Sequence, residues 1–455
     1  DTWSTKDSIA WKENTFKKFD TEYTANTGVS GITHTLITNP NTAIRTALVY
    51  SGTGNAFHST ELNNEYEKVE QDKVNYIQKK LTLSSVLTHK FNAKSSLKSG
   101  IILNRLDYNL TQKYFDFEIN NYVVGLDTKG NAHTLQAFSQ LSYKLTDALT
   151  LNPGVHYLRY IENNTQSIEP RLSARYQLNR SNSVSLGYGM HSQLQPIGVY
   201  FAEGIDEAGN SYRANKNLKL AQSQHLVLSY DYMLGELYHL KAEAYYQYLT
   251  HVAISTDSGS TFSLINLEDG YYSKALSTSG IGRNYGLELT AERFLKNNFY
   301  FLLSASLYDS KYRANDHNWY NTRFNGNYNF CLTSGKEFPF TGHGKSRYFG
   351  VGIKTVYSGG LRDTPINEAQ SIVSGVAVYE ENKAYTLQNS PYFRTDLKIS
   401  FKRNYKHSTG TIAFDVQNVT NRKNDGGAYY DREKGKIEKW KQAPLIPILS
   451  YKIEF

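Results

Sequence analysis

Arg394, Asp396 and Lys398 recur at a spacing of two, and Asp415 falls in the next alternating stretch. Side chains of an extended strand point to opposite faces in turn, so this spacing sets a guanidinium, a carboxylate and an ammonium on one side. Such a row makes hydrogen bonds and charge pairs with a facing surface, or faces water as a polar wall, and neither use is catalysis. No Gly-x-Ser-x-Gly elbow, His-Glu-x-x-His pair, phosphate-cradling loop or Gly-x-Gly-x-x-Gly run occurs, so the chain does not read as an enzyme. The 12 His are scattered, and His156 and His239 lie on strand-like stretches, where a lone histidine is a wall residue more often than a ligand. Asp206, Glu207 and Asn210, or Asn424 and Asp425, supply oxygens but no full set of regularly spaced calcium ligands, and read as turn chemistry. Cys331 is the single cysteine, which excludes an internal disulfide and a Cys-based zinc site. No metal and no cofactor is expected.

The elements that carry these residues show a period of two. Phe393, Thr395, Leu397, Ile399 and Phe401 share the apolar face opposite Arg394, Asp396 and Lys398. The same pattern sets Leu240, Ala242, Ala244, Tyr246 and Tyr248 against His239, Lys241, Glu243, Tyr245 and Gln247, and it places Cys331 on a polar side. Strands pair across short polar turns near residues 38–41, 91–94, 146–149, 179–182, 233–236, 295–299 and 403–409, with a longer turn at about 335–347. Connections between pairs are mostly long, near 53–72, 110–132, 194–216, 251–279, 313–323, 359–391 and 421–443, with a short one near 162–166. Short turns at one end and long loops at the other predict an all-β transmembrane antiparallel barrel rather than a soluble sandwich. Tyr157, Tyr160, Tyr188, Tyr246 and Tyr248 near strand ends fit interfacial girdles.

Composition agrees. Of 455 residues 39% are hydrophobic and 14% aromatic, with 20% charged, too aromatic for disorder and too lean for a large dry core. No run approaches the roughly 18 apolar residues of a membrane-spanning helix. The net charge of +8 is spread among interleaved signs, as at Asp431, Arg432, Glu433 and Lys434, so no platform for nucleic acid emerges. Asp1 to Lys12 has no basic head or apolar stretch of a signal peptide.

The end of the chain, with Leu449, Tyr451, Ile453 and Phe455 on one face, resembles the terminal strand of bacterial outer-membrane proteins, where such an end is an assembly signal. Ile168–Tyr176 (IEPRLSARY), Ser185–Tyr200 (SLGYGMHSQLQPIGVY), Gly359–Ile366 (GGLRDTPI), Tyr392–Phe401 (YFRTDLKISF) and Asp415–Lys423 (DVQNVTNRK) are similar to the barrel of TonB-dependent receptors of the Bacteroidetes type. The likeness is to the subgroup with a carboxypeptidase-regulatory-like extension upstream, and covers residue 27 to the end. The resemblance implies the outer membrane of a Gram-negative bacterium and active uptake of a scarce nutrient. It implies a 22-stranded barrel closed by an N-terminal plug and energised through TonB, in contact with outer-membrane lipid and with a surface lipoprotein lid as a further partner.

This sequence shows about 17 strands and neither a plug nor a TonB-contacting segment. By the even-strand rule its first strand runs downward, which makes residues 1–26 an extracellular loop or the start of a fragment, and residues 27–455 the barrel of a longer receptor. On that reading Arg394, Asp396, Lys398 and Asp415 line the lumen and contact the plug, and Tyr451, Ile453 and Phe455 form the assembly signal. The loop rings Tyr271, Tyr272, Trp319, Tyr320, Tyr429, Tyr430 and Trp440 either stack on a flat or sugar-like ligand, brace the loops, or touch the lid. A passive channel or surface adhesin without a plug is the alternative. An outer-membrane hydrolase would need a nucleophile and base that nothing nominates.

Overall fold

The computed structural model describes residues 2–455 apart from 117–120, 206–210, 269–270, 273 and 343–344. The period-two stretches form seventeen long strands of one antiparallel sheet. The first eight are β1 Phe19–Asn39, β2 Thr42–Leu62, β3 Lys68–Lys90, β4 Ser95–Asp116, β5 Asn121–Lys144, β6 Leu149–Tyr160, β7 Thr165–Gln177 and β8 Asn182–Gln193. The rest are β9 Ala221–Leu234, β10 Tyr238–Ser255, β11 Leu276–Lys296, β12 Phe299–Arg313, β13 Tyr328–Gly342, β14 Lys345–Ser358, β15 Tyr392–Asn404, β16 Thr409–Gln417 and β17 Ile446–Glu454. A short strand, Trp319–Asn321, pairs with the end of β12. Each long strand pairs with its neighbours in sequence, which makes an up-and-down wall. Among the described residues β17 pairs only with β16, and β1 only with β2 apart from a single bridge between Thr2 and Thr21.

Burial separates the two faces. Leu397, Ile399 and Phe401, with Leu287, Leu289, Ile412 and Phe414, are exposed, as positions that meet lipid must be. The packed core sits instead at the loop end. There the short helix Ile197–Phe201 folds into the mouth, and Val199 and Tyr200 are fully buried against Leu158 and Tyr160 on β6. Tyr160 is therefore no girdle residue. Tyr157 is three positions away and a strand cannot send both outward; Tyr160 turns inward onto Tyr200, with ring centroids 4.9 Å apart. Tyr188 and Tyr246 do stay outside and exposed.

Two expected long loops are strands. β2 runs to Leu62 and β3 starts at Lys68, so residues 53–62 and 68–72 are paired wall, and β4 and β5 likewise extend to Asp116 and from Asn121. The segments Lys68–Lys73 and Leu110–Lys113 carry polar residues on both faces, because above the membrane both faces meet water and the alternation that marks a spanning strand disappears. The turn expected over 335–347 is also mostly strand, since β13 runs to Gly342 and β14 resumes at Lys345. β1 begins at Phe19, ahead of the boundary at residue 27. Before it lie the helix Ser8–Glu13, capped by Asp7, and a 3₁₀ turn Thr15–Lys18. No helix among the described residues is long and apolar enough to cross a membrane.

Candidate luminal and loop sites

Arg394, Asp396, Lys398 and Asp415 share the face of β15 and β16 opposite the exposed Leu397, Ile399, Ile412 and Phe414. Arg394 grips Asp396 through two nitrogens, at 2.6 and 2.9 Å, and Asp396 also accepts the Asn418 N–H at 2.8 Å. Register sets Lys398 opposite Asp415, and they pair at 3.1 Å. The row predicted from spacing thus closes on itself as two ion pairs. Lys398 keeps half its side chain exposed and can still meet a facing surface.

A stronger polar centre lies further round the wall. Glu169 on β7 is 1% exposed and accepts four bonds: from Ser167 at 2.9 Å, His156 at 2.8 Å, Arg171 at 2.9 Å and the Ser192 N–H at 3.0 Å. A buried carboxylate persists only with such compensation. His156 reaches on to Gln136 at 3.2 Å. Beside this cluster a cavity of about 450 Å³ is lined by His191, Ser223, His225 and Gln247 and capped by Leu264 from the loop above. The imidazoles of His191 and His225 meet edge to face at 5.1 Å, and Gln247 and Ser223 hold His225 at 3.1 and 2.7 Å. The described residues contain no group of three or more His, Cys, Asp or Glu arranged to hold a metal. Glu169 lies inside the stretch Ile168–Tyr176, where Pro170 beside it within a strand is the one irregularity the sequence shows. His156 is a wall residue as expected, and so is His239, bonded to Asp231 at 2.9 Å.

Loop aromatics mostly brace. Tyr271 packs against Tyr76 and over Gly198, where any side chain would collide with its ring, and burial pushes its phenol up to about 12. Tyr272 stacks on Phe262 at 3.9 Å, Tyr320 bonds Asp316 and Tyr429 meets Phe16 at 5.4 Å. Trp440 covers Gly426 yet remains 44% exposed. Asn424 clamps both backbone groups of Phe393, and Asp425 pairs with Lys439 and Lys441, so neither is arranged around a metal ion. Asp206, Glu207 and Asn210 lie outside the described residues. Tyr451 and Ile453 stand exposed on β17, and Phe455 beyond it is fully exposed.

The loops are tied to one another. Asn215, fully buried, donates to the Tyr272 and Lys274 carbonyls and accepts from Leu276 N–H. Arg323 joins Glu268 and Asp363 at 2.8 and 3.0 Å. The hairpin Asp425–Asp431 with Lys436–Lys441 reaches the segment ahead of β1, where Thr15 bonds Asp431 at 2.8 Å and Lys18 bonds Glu433 at 2.7 Å.

Comparison with known proteins adds to this geometry. The family described as "TonB dependent receptor-like, beta-barrel" matches residues 1–419. No curated protein matches the chain in sequence. Among solved structures, the chain is similar to the ferric-catecholate import receptor Fiu of E. coli K12 in its closed form, at 14% identity and a TM-score of 0.65, covering 96% of this chain and 65% of that one. It is similar to the ferripyoverdine receptor of the Pseudomonas aeruginosa outer membrane bound to ferripyoverdine, at 14% identity and a TM-score of 0.64, over 94% and 56%. The ferric yersiniabactin uptake receptor FyuA of Yersinia pestis gives 14% identity and a TM-score of 0.61, over 96% and 62%. The chain spans less than two thirds of the length of each of these three proteins.

Proposed function

Since the chain belongs to the TonB-dependent receptor-like β-barrel family, whose place is the Gram-negative outer membrane, we propose that it is the barrel portion of an active importer of a scarce nutrient. The observation that carries this reading is the wall itself. Exposed apolar residues meet lipid on one face, while the other holds ion pairs and a cavity of mixed polar and apolar lining under inward-folded loops. A bore lined in this way requires a gate, and a plug upstream, moved through TonB, is the gate that fits the family.

Among the described residues the outer edges of β1, apart from one bridge at Thr21, and of β17 are open, which supports a longer receptor in which further strands stand between them, since a barrel in lipid leaves no edge open. In that receptor Arg394, Asp396, Lys398 and Asp415 contact the plug, and Tyr451, Ile453 and Phe455 direct assembly. The similar receptors named for iron chelates favour a chelated metal as the nutrient. The quoted motifs favour the Bacteroidetes subgroup, where the exposed ring of Trp440 is the surface a lipoprotein lid would meet.

The test is a growth competition over a panel of limiting nutrients, in cells with and without TonB. Deleting the receptor should lower fitness on its nutrient only where TonB is present. An equal loss in both backgrounds would instead establish the passive channel.

A further inference from the structure

The outward face carries a hollow of about 500 Å³ between β9 and β13. Bulky chains give way there to Ala242 and Ala244 on β10 and Ala305 on β12, which register places on either side of Leu287 and Leu289 of β11. Both leucines are 59% exposed. The hollow is apolar and has no cover among the described residues.

Higher on the same face stands a cluster of cations. Arg283 lies four residues above Leu287 on β11, register sets Lys311 beside it on β12, and Arg313 follows two positions on, next to Trp319. The Arg283 guanidinium lies 4.3 Å over the Trp319 ring, and its buried Nε has no hydrogen-bond partner. Lys311 pairs with Asp309 at 3.3 Å, whereas Arg313 has no ion-pair or hydrogen-bond partner for its side chain among the described residues. Three cations thus face one carboxylate.

Depth fits a lipid. Ten residues down β11, Arg293 turns its guanidinium over Tyr238 and Phe299 at the other end of the wall. Ten residues rise about 33 Å along a strand, or roughly 25 Å along the normal at the usual tilt, which is the height of a barrel's apolar band. Arg283 therefore marks the outer headgroup level. Leu287 and Leu289 lie roughly 10–15 Å deeper, within one leaflet of a hydrocarbon core about 30 Å thick.

We propose that this face seats one phosphate-bearing lipid of the outer leaflet. Arg283, Arg313 and Lys311 take the phosphate, and an acyl chain descends past Leu287 into the hollow floored by alanine. A soluble phosphate would use the cations but gain nothing from the hollow.

The test is native mass spectrometry of the intact receptor from outer membranes. Its probes are bisphosphorylated lipid A, the same lipid stripped of phosphate, and excess inorganic phosphate. One phosphorylated lipid should be retained, the stripped form about tenfold less, and the inorganic ion should not displace it. The double variant Arg283→Gln/Arg313→Gln and the hollow-filling Ala244→Leu should each lower retention about tenfold. Heat-shifted gel mobility reports folding, and Ala305→Leu fills the hollow from its other side if Ala244→Leu does not fold. Equal retention by the variants, indifference to lipid phosphate, displacement by the inorganic ion, or a protein occupying the face would each overturn the proposal.

Discussion

Glu169 shows what a polar bore demands of a single residue. Its carboxylate is nearly dry and relies on four donors from three strands. Glu169→Ala leaves His156, Ser167 and the Ser192 N–H without their acceptor, and should cost about 1–3 kcal/mol, read as a lowered unfolding midpoint in lipid vesicles. Glu169→Gln, which keeps the shape and some acceptors, should cost less. On the lipid side, Leu397→Arg should cost about 2–4 kcal/mol near the midplane. Lys398→Leu breaks only a half-exposed pair with Asp415 and should cost about 1 kcal/mol or less in the same detergent-free assay. Comparable losses from both would mean that the faces are assigned backwards. That Arg394, Asp396 and Lys398 share one face was legible from their spacing of two, whereas their closing into pairs, Arg394 on Asp396 and Lys398 on Asp415 across the register, was not. The Glu169 centre was not, because its partners lie on β6, β7 and β8 and meet only once register is known.

Among elements, the loops behave as a braced layer. Asn215 fastens the connection after β8 to the one before β11, so Asn215→Ala should cost about 1–3 kcal/mol and open residues 256–275 to limited proteolysis in otherwise folded protein. The last hairpin has an acid limit. Hydrogen bonding from Lys441 draws the Asp425 carboxyl down to about 2 from its ordinary 3.8. A depressed carboxylate stabilises the hairpin fully above its ordinary value and ceases to do so as pH falls toward 2. Pepsin should therefore cut residues 425–441 increasingly between pH 4 and pH 2, and Asp425→Asn should already be cut at the upper end of that range. The wall elements within the membrane were readable from alternation. The tall hairpins at 53–72 and 110–132 were not, because water on both sides removes the period that identifies a strand.

At the level of the molecule, the lean apolar content already pointed to a wall wetted by lipid rather than a core. The approximate number of strands was readable too, since each spanning segment keeps its own period of two. What alternation leaves out is how the ends meet. Among the described residues β1, twenty-one residues long, leaves its outer edge open apart from the bridge at Thr21, and β17 leaves nine residues open. An open edge of that length pairs with whatever strand it finds. Residues 1–455 expressed alone should therefore assemble into oligomers through those edges, and size-exclusion chromatography should show these dissolving when the upstream segment is supplied. A monodisperse monomer would count against the open wall.

The bond between Thr15 and Asp431 joins residues 416 positions apart. A contact across so long a span forms late, because nearly the whole polypeptide must be ordered before the two sides come within reach. It should then act on how long the finished receptor persists more than on how fast it is assembled. Asp431→Ala, which also takes the acceptor from the Glu433 and Lys434 N–H groups, is expected to lower the heat resistance of the mature receptor while pulse-chase experiments show its rate of insertion nearly unchanged.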